Sequence, residues 1–199
     1  SIVVVNKIKK NLDYKKQVKV IDSLKFLTET STIFRENINV KIIAITGSCG
    51  KTTLKELLGK TLKKISKTTI SPKSYNNKYG VPLSLFNLSK NDNYGVLEVG
   101  MDKKGEIDYL SKIIKPDISV ITNINYAHAK NFKNIKDIAL AKSEIISNTK
   151  PNGFVILNAD DNFFRLHQKI AAKNNINTIS FGIKNHKSEN PKSKTNKQQ

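Results

Sequence analysis

An apolar run, Lys41 to Thr46, passes without interruption into Gly47, Ser48, Cys49, Gly50, Lys51, Thr52 and Thr53, and then into a stretch of helical periodicity. No other feature restricts the possible folds of this chain as much. A strand that turns through two glycines into a helix gathers backbone amides at the positive end of the helix, and such a cradle suits a polyphosphate. Lys51 is placed to reach the β- and γ-phosphates of a nucleotide, and the Thr52 hydroxyl to ligate Mg²⁺. The usual spacing puts a further glycine at position 45, where this chain has Ile45, so the loop is a shortened variant. A turn that merely joined strand to helix would not account for the lysine and two threonines that follow it. Cys49 reads as a small side chain tolerated in the loop rather than a nucleophile, because no histidine adjoins it in sequence.

The same alternation of β-branched runs and amphipathic stretches continues through the chain. Strands are predicted at Lys41 to Thr46, Thr68 to Ser71, Gly95 to Val99, Ile118 to Thr122, Phe154 to Asn158 and Thr178 to Phe181. Helices are predicted at Lys51 to Ile65, Val81 to Leu88, Ile107 to Ile114, Ile135 to Asn148 and Phe163 to Asn174. Pro82, Pro116 and Pro151 fall at element edges, where a missing amide donor does least harm. The pattern implies an α/β fold with a mostly parallel sheet flanked by helices, over residues 40–183. Residues 1–39 hold a short apolar strand-like run and a helical stretch, too little for a core of their own, and read as the remnant of a preceding domain or a linker. Residues 184–199 are polar, rich in Lys, Asn and Ser, and are expected to be a disordered tail.

Charge narrows the function less than its size suggests. The formal net charge of +19 points toward polyanions, but it divides as +5, +10 and +4 over residues 1–41, 42–183 and 184–199, so no segment is a basic arm. Only Arg35 and Arg165 are arginine, the residue that bidentate base and phosphate recognition favours, and the abundance of Lys, Asn and Ile reads as compositional drift. Nucleic acid is therefore not the expected partner. A single cysteine excludes an internal disulfide and a cysteine zinc cluster, which fits a reducing compartment. No run approaches the roughly 18 apolar residues of a membrane span. A cytoplasmic monomer is expected.

Beyond the loop, further motifs occur in a fixed order: NNKYGVP at Asn76 to Pro82, LEVGMDKKGEI at Leu97 to Ile107, TNINYAH at Thr122 to His128, AKSEI at Ala141 to Ile145 and NADD at Asn158 to Asp161. With TGSCGKTT at Thr46 to Thr53, the series resembles the Mur ligases over about residue 40 to Gly182, the extent of their central ATP-binding domain. The NNxxGVP and GEI pieces are most similar to the MurF branch.

The resemblance implies ATP and Mg²⁺ as cofactors and a set of site residues. Gly47, Ser48, Cys49, Gly50, Lys51, Thr52 and Thr53 would surround the phosphates, and Asn158 would meet the adenosine. Glu98 ends an apolar strand, at the rim where α/β sheets bind ligands, and by resemblance coordinates Mg²⁺; a solvated strand-end glutamate is the plain alternative. His128 would ligate a second Mg²⁺. Lys142 matches a lysine that in many members reacts with CO₂ to give a carbamate ligand, which requires an amine whose pKa is lowered by its surroundings. Lys51, Glu98, His128 and Lys142 are thus the implied catalytic set. Asn76 and Asn77 would contact the UDP-muramoyl-peptide, although asparagine serves turns equally well. Asp160 and Asp161 read equally as a helix cap and its first-turn acid.

The implied activity is ATP-dependent amide ligation in peptidoglycan precursor synthesis, joining D-alanyl-D-alanine to UDP-N-acetylmuramoyl-tripeptide through an acyl phosphate. Family members have three domains, and the C-terminal one, which brings the amine, has no counterpart here, so ligation by these residues alone is expected to be weak or absent. The alternatives are a non-catalytic ATP-binding remnant and another ligase of the superfamily, of the folylpolyglutamate or cyanophycin type.

Overall fold

Chain order sets the architecture of the computed structural model, which describes residues 2–126 and 131–183. Its first elements are two short strands, β1 (Val3–Val5) and β2 (Gln17–Lys19), paired in parallel, followed by helix α1 (Ser23–Glu36). Asp22 starts that helix by accepting hydrogen bonds from the Leu24 and Lys25 amides, two donors that the helix cannot satisfy itself.

Six strands then alternate with five helices: β3 (Lys41–Thr46), α2 (Lys51–Leu62), β4 (Thr68–Ile70), α3 (Gly80–Phe86), β5 (Tyr94–Glu98), α4 (Glu106–Ile114), β6 (Ile118–Ile121), α5 (Ile135–Ser147), β7 (Phe154–Asn158), α6 (Phe164–Lys173) and β8 (Asn177–Phe181). The strands form one parallel sheet in the order β4-β5-β3-β6-β7-β8. The chain leaves β3 toward one edge and later crosses back past it from β5 to β6. Since parallel crossovers are right-handed, the helix of the first connection lies on one face and those of the others on the opposite face. The core divides accordingly. Ile43, Ile45, Val96 and Val120 meet Leu54, Leu58 and Leu62 of α2, whereas Ile42, Ala44 and Leu97 belong to the larger cluster built with α3, α4, α5 and α6. Side chains alternate faces along a strand, so both sets come from the same β-runs.

Each predicted strand and helix of the α/β region is present, with end shifts of a few residues. Helix α2 stops at Leu62 rather than Ile65, because Lys64 and Ile65 donate to Thr61 and Leu62 in tighter three-residue turns. Residues 2–39 are joined closely to the helical layer of this fold through α1. Phe34 packs at a tilt of 53° against Phe86 of α3 with ring centroids 5.5 Å apart, and the Thr28 and Tyr109 hydroxyls are 2.6 Å apart. Arg35, 3% exposed, donates to the carbonyls of Ile114 and Lys115 and to Asp117 Oδ2 at 3.2 Å. Reversal of chain direction around β3 leaves a crevice at the carboxyl ends of β3, β5 and β6, the position at which open α/β sheets bind ligands.

Candidate active site

The strand β3 opens into this crevice through two residues that need unusual backbone angles. Gly47 has φ +146° and Gly50 φ +80°; a Cβ on Gly47 would lie 1.9 Å from Thr122 Oγ1. Gly50 is the N-cap of α2 and, lacking a side chain, leaves the helix without a side-chain cap. Its first amides point their unsatisfied donors and the positive end of the dipole at the crevice, which fits a phosphate group. The segment after β6 holds the loop in shape. Asn123 accepts from the Ser48 amide through its carbonyl at 2.9 Å and from the Cys49 amide through Oδ1 at 3.0 Å. Thr122 Oγ1 donates to the Cys49 carbonyl at 2.7 Å, and Ser48 Oγ donates to the Asn125 carbonyl at 2.9 Å.

Register brings a carboxylate to the same place. Glu98 ends β5 opposite Ile45, two residues before the loop, and is 2% exposed. Thr52 Oγ1 donates to its Oε2 at 2.7 Å and Asn76 Nδ2 to its Oε1, also at 2.7 Å. A hydroxyl and a carboxylate oxygen in contact, beside amides suited to phosphate, form a hard donor set that fits Mg²⁺, an ion that keeps waters and phosphate oxygens as its other ligands. Among the described residues no group of three or more His, Cys, Asp or Glu side chains is arranged to hold a metal ion.

Two lysines meet on the opposite side of the loop. Lys51 Nζ and Lys142 Nζ both donate to the Gly47 carbonyl at 3.0 Å. Lys142 lies on α5 with 2% of its surface exposed, and among the described residues no carboxylate pairs with it. Burial, and next the positive charge of Lys51, lower its pKa from 10.5 to about 7, with a smaller opposing effect from Cys49. Helix α5 is fixed in place by Glu144, which accepts from the amides of Gly105 and Asp108 and so caps α4, whose own N-cap Gly105 has no side chain to do so.

A cavity of about 760 Å³ opens from this cluster toward α1 and α4, lined among others by Lys51, Asn76, Asn77, Lys142, Leu24 and Tyr109. Within it Asn77 Oδ1 accepts from the Tyr79 and Gly80 amides, so its side chain shapes the turn into α3, while Asn76 reaches Glu98. Of the expected site residues, Gly47 to Thr53, Glu98, Lys142, Asn76 and Asn77 are gathered around the loop and cavity. Asn158 stands apart at the end of β7, its Oδ1 accepting from the Asp160 amide. His128 and residues 184–199 lie outside the described residues.

Sequence reasoning overlooked several participants. Asn123 and Asn125 sit within TNINYAH, where the alternation after a strand was a usable sign of one face turned to the loop. Asp161, expected as a helix cap or its first-turn acid, also accepts from the Ile124 amide at 2.7 Å and thereby ties NADD to that segment. Lys55, completely buried one turn beyond Lys51, gave no sign among so many lysines.

Comparison with known proteins gives a consistent family. The Mur ligase middle domain matches residues 45–199. A UDP-N-acetylmuramoyl-tripeptide–D-alanyl-D-alanine ligase of Buchnera aphidicola is 44% identical over 156 residues, covering 78% of this chain and 34% of that protein. A crystal structure of MurF from Acinetobacter baumannii superposes with a TM-score of 0.81 at 37% identity, covering 90% of this chain and 39% of the other. The MurF ligase of Thermotoga maritima in complex with ADP gives 0.78 at 31% identity, covering 91% and 41%. The chain therefore spans about a third of the length of the curated relatives it matches.

Proposed function

Because this chain belongs to the Mur ligase family, whose middle domain it matches, we propose that it binds Mg²⁺-ATP in an amide ligase that joins D-alanyl-D-alanine to UDP-N-acetylmuramoyl-tripeptide. In that reaction a carboxylate oxygen of the tripeptide attacks the γ-phosphorus and ADP leaves. The amine of D-alanyl-D-alanine then attacks the acyl carbon, loses a proton and displaces phosphate. Both steps bring anions together, so positioning and positive charge supply most of the rate.

The observation that carries this reading is the Thr52–Glu98 contact of 2.7 Å at the mouth of an uncapped helix N-terminus. Amides of the loop and the first turn of α2 hold the phosphates, and Lys51 swings from the Gly47 carbonyl to the β- and γ-oxygens. Thr52 and Glu98 would hold Mg²⁺, which when bound would neutralise the phosphate charge that develops in transfer. Lys142 is read as the site of a carbamate: burial and the neighbouring Lys51 charge lower the pKa of its amine to about 7, which favours the neutral form that attacks CO₂ with loss of a proton. The carbamate would supply an anionic oxygen as a metal ligand. His128 is proposed as a further ligand, and Asn158 as an adenosine contact. The cavity beside Asn76 and Tyr109 receives the acidic muramoyl-peptide. No helix of the described residues is long and apolar enough to cross a membrane, and a cytoplasmic setting is part of the proposal because the reaction consumes ATP.

The test is a ligation assay on the complete protein with Mg²⁺-ATP, UDP-muramoyl-tripeptide and D-alanyl-D-alanine. Phosphate and the pentapeptide product should form together only with all three, while this chain alone binds Mg²⁺-ATP. Nucleotide binding without any product in the complete protein contradicts ligase activity, and absence of nucleotide binding contradicts the whole reading.

A further inference from the structure

Lys55 is the largest completely buried side chain among the described residues, yet it carries an ammonium group. Burying such a charge is costly unless its donors are satisfied. They are: Nζ donates to the Ser71 carbonyl at 2.8 Å and to the Lys73 carbonyl, and stands 3.4 Å from Glu56 Oε1. Lys73 presents its carbonyl from a left-handed backbone with φ +43°, a conformation that costs a non-glycine residue free energy and persists where surroundings enforce it. The segment held in this way is the one that delivers Asn76.

A closed circuit results. Helix α2 grips residues 71 and 73 through Lys55, and the Ser71 hydroxyl accepts from the Glu98 amide at 3.3 Å. Three residues beyond Lys73, Asn76 donates to Glu98 Oε1, and its carbonyl accepts from the Gly100 amide at 2.8 Å. Glu98 Oε2 returns to α2 through Thr52, one turn before Lys55. The carboxylate is thus aimed from both sides by the same helix. We infer that Lys55 is a positioning residue, which holds the Ser71–Asn76 segment against α2 and thereby fixes the Glu98 carboxylate for the metal. This rests on the Mg²⁺-nucleotide reading above and adds to it a residue that touches neither nucleotide nor metal.

The experiment is calorimetric titration of ADP into the chain, with Mg²⁺ and with chelator, for the wild type, Lys55→Met, Asn76→Ala and the double variant. Lys55→Met should lose about tenfold of the affinity gained from Mg²⁺, the range of supporting residues around metal ligands, with ADP affinity in chelator changed less than about twofold. The double variant should lose little more than either single one, since both act on one carboxylate. A merely loosened fold would weaken ADP binding equally with and without Mg²⁺. Full retention of the Mg²⁺ effect in Lys55→Met, equal weakening in both conditions, or multiplicative losses in the double variant overturns the inference alone. A wild type that binds no ADP overturns the parent reading with it. Should Lys55→Met not fold, Lys55→Gln is read in its place, with a smaller loss confined to the Mg²⁺ condition expected and no such loss contradictory.

Discussion

Replacing Lys142 by methionine should stabilise the protein at neutral pH, and the gain should shrink as pH rises. Lys142 is buried beside Lys51, donating to the Gly47 carbonyl that both lysines share, and its pKa falls from 10.5 to about 7. The folded state binds the proton less tightly than the unfolded chain, so between pH 7 and 10.5 the unfolded state carries more protons and stability rises with pH. The full difference corresponds to about 5 kcal/mol of destabilisation below pH 7, from about 1.4 kcal/mol per unit. Roughly 2 kcal/mol of this is relieved between pH 7 and pH 9. For a chain of this size that is about 4–8 °C in Tm. Thermal melts of wild type and Lys142→Met in CO₂-free buffer at the two pH values measure it as the difference between two differences. Parallel pH profiles, or a methionine variant less stable at pH 7, would refute the claim that a strained, readily neutralised amine sits beside the phosphate loop. They would also remove the physical basis for the proposed carbamylation.

Other consequences are more local. Gly47→Ala should cost at least about 2 kcal/mol and abolish ADP binding, because the new Cβ meets Thr122 and the backbone angle is unfavourable; melts and titration check both. Asp117→Ala should cost about 3–5 kcal/mol in denaturant unfolding by leaving the buried Arg35 guanidinium without its anion. His167 is 2% exposed, and burial lowers its pKa against the weaker opposing effects of the Ala139 carbonyl and Asp161. Below about pH 6.5 the unfolded chain takes up a proton that the folded one does not, so stability should fall with acid, and His167→Gln should flatten that part of the melting profile.

What the letters disclosed and what they hid have physical reasons. The β3-loop-α2 unit was legible because its shape depends on local backbone geometry, which Gly47 and Gly50 encode directly. Glu98 was legible because a carboxylate ending an apolar strand has few places to go except the rim. The buried amine of Lys142 had no local signature among 33 lysines and came only through the family motif. Lys55 was hidden for the same reason: a lysine on an amphipathic helix reads as solvated, and its burial depends on a segment that returns 16 to 18 residues later. Helix α1 was foreseen as a helix, but its attachment rests on partners some 80 residues away, Ile114 and Asp117, which no periodicity reports. The asparagines after β6 bind the loop across a sheet neighbour, a relation that requires the strand order.

Electron paramagnetic resonance of Mn²⁺ in the presence of ADP examines the metal site itself, in wild type and Glu98→Gln. If Thr52 and Glu98 hold the metal against the phosphates, wild type should give an immobilised, nucleotide-dependent Mn²⁺ spectrum that Glu98→Gln loses while still binding ADP in chelator. An unchanged spectrum in Glu98→Gln, or a wild-type Mn²⁺ signal indifferent to ADP, would contradict the phosphate-loop metal site.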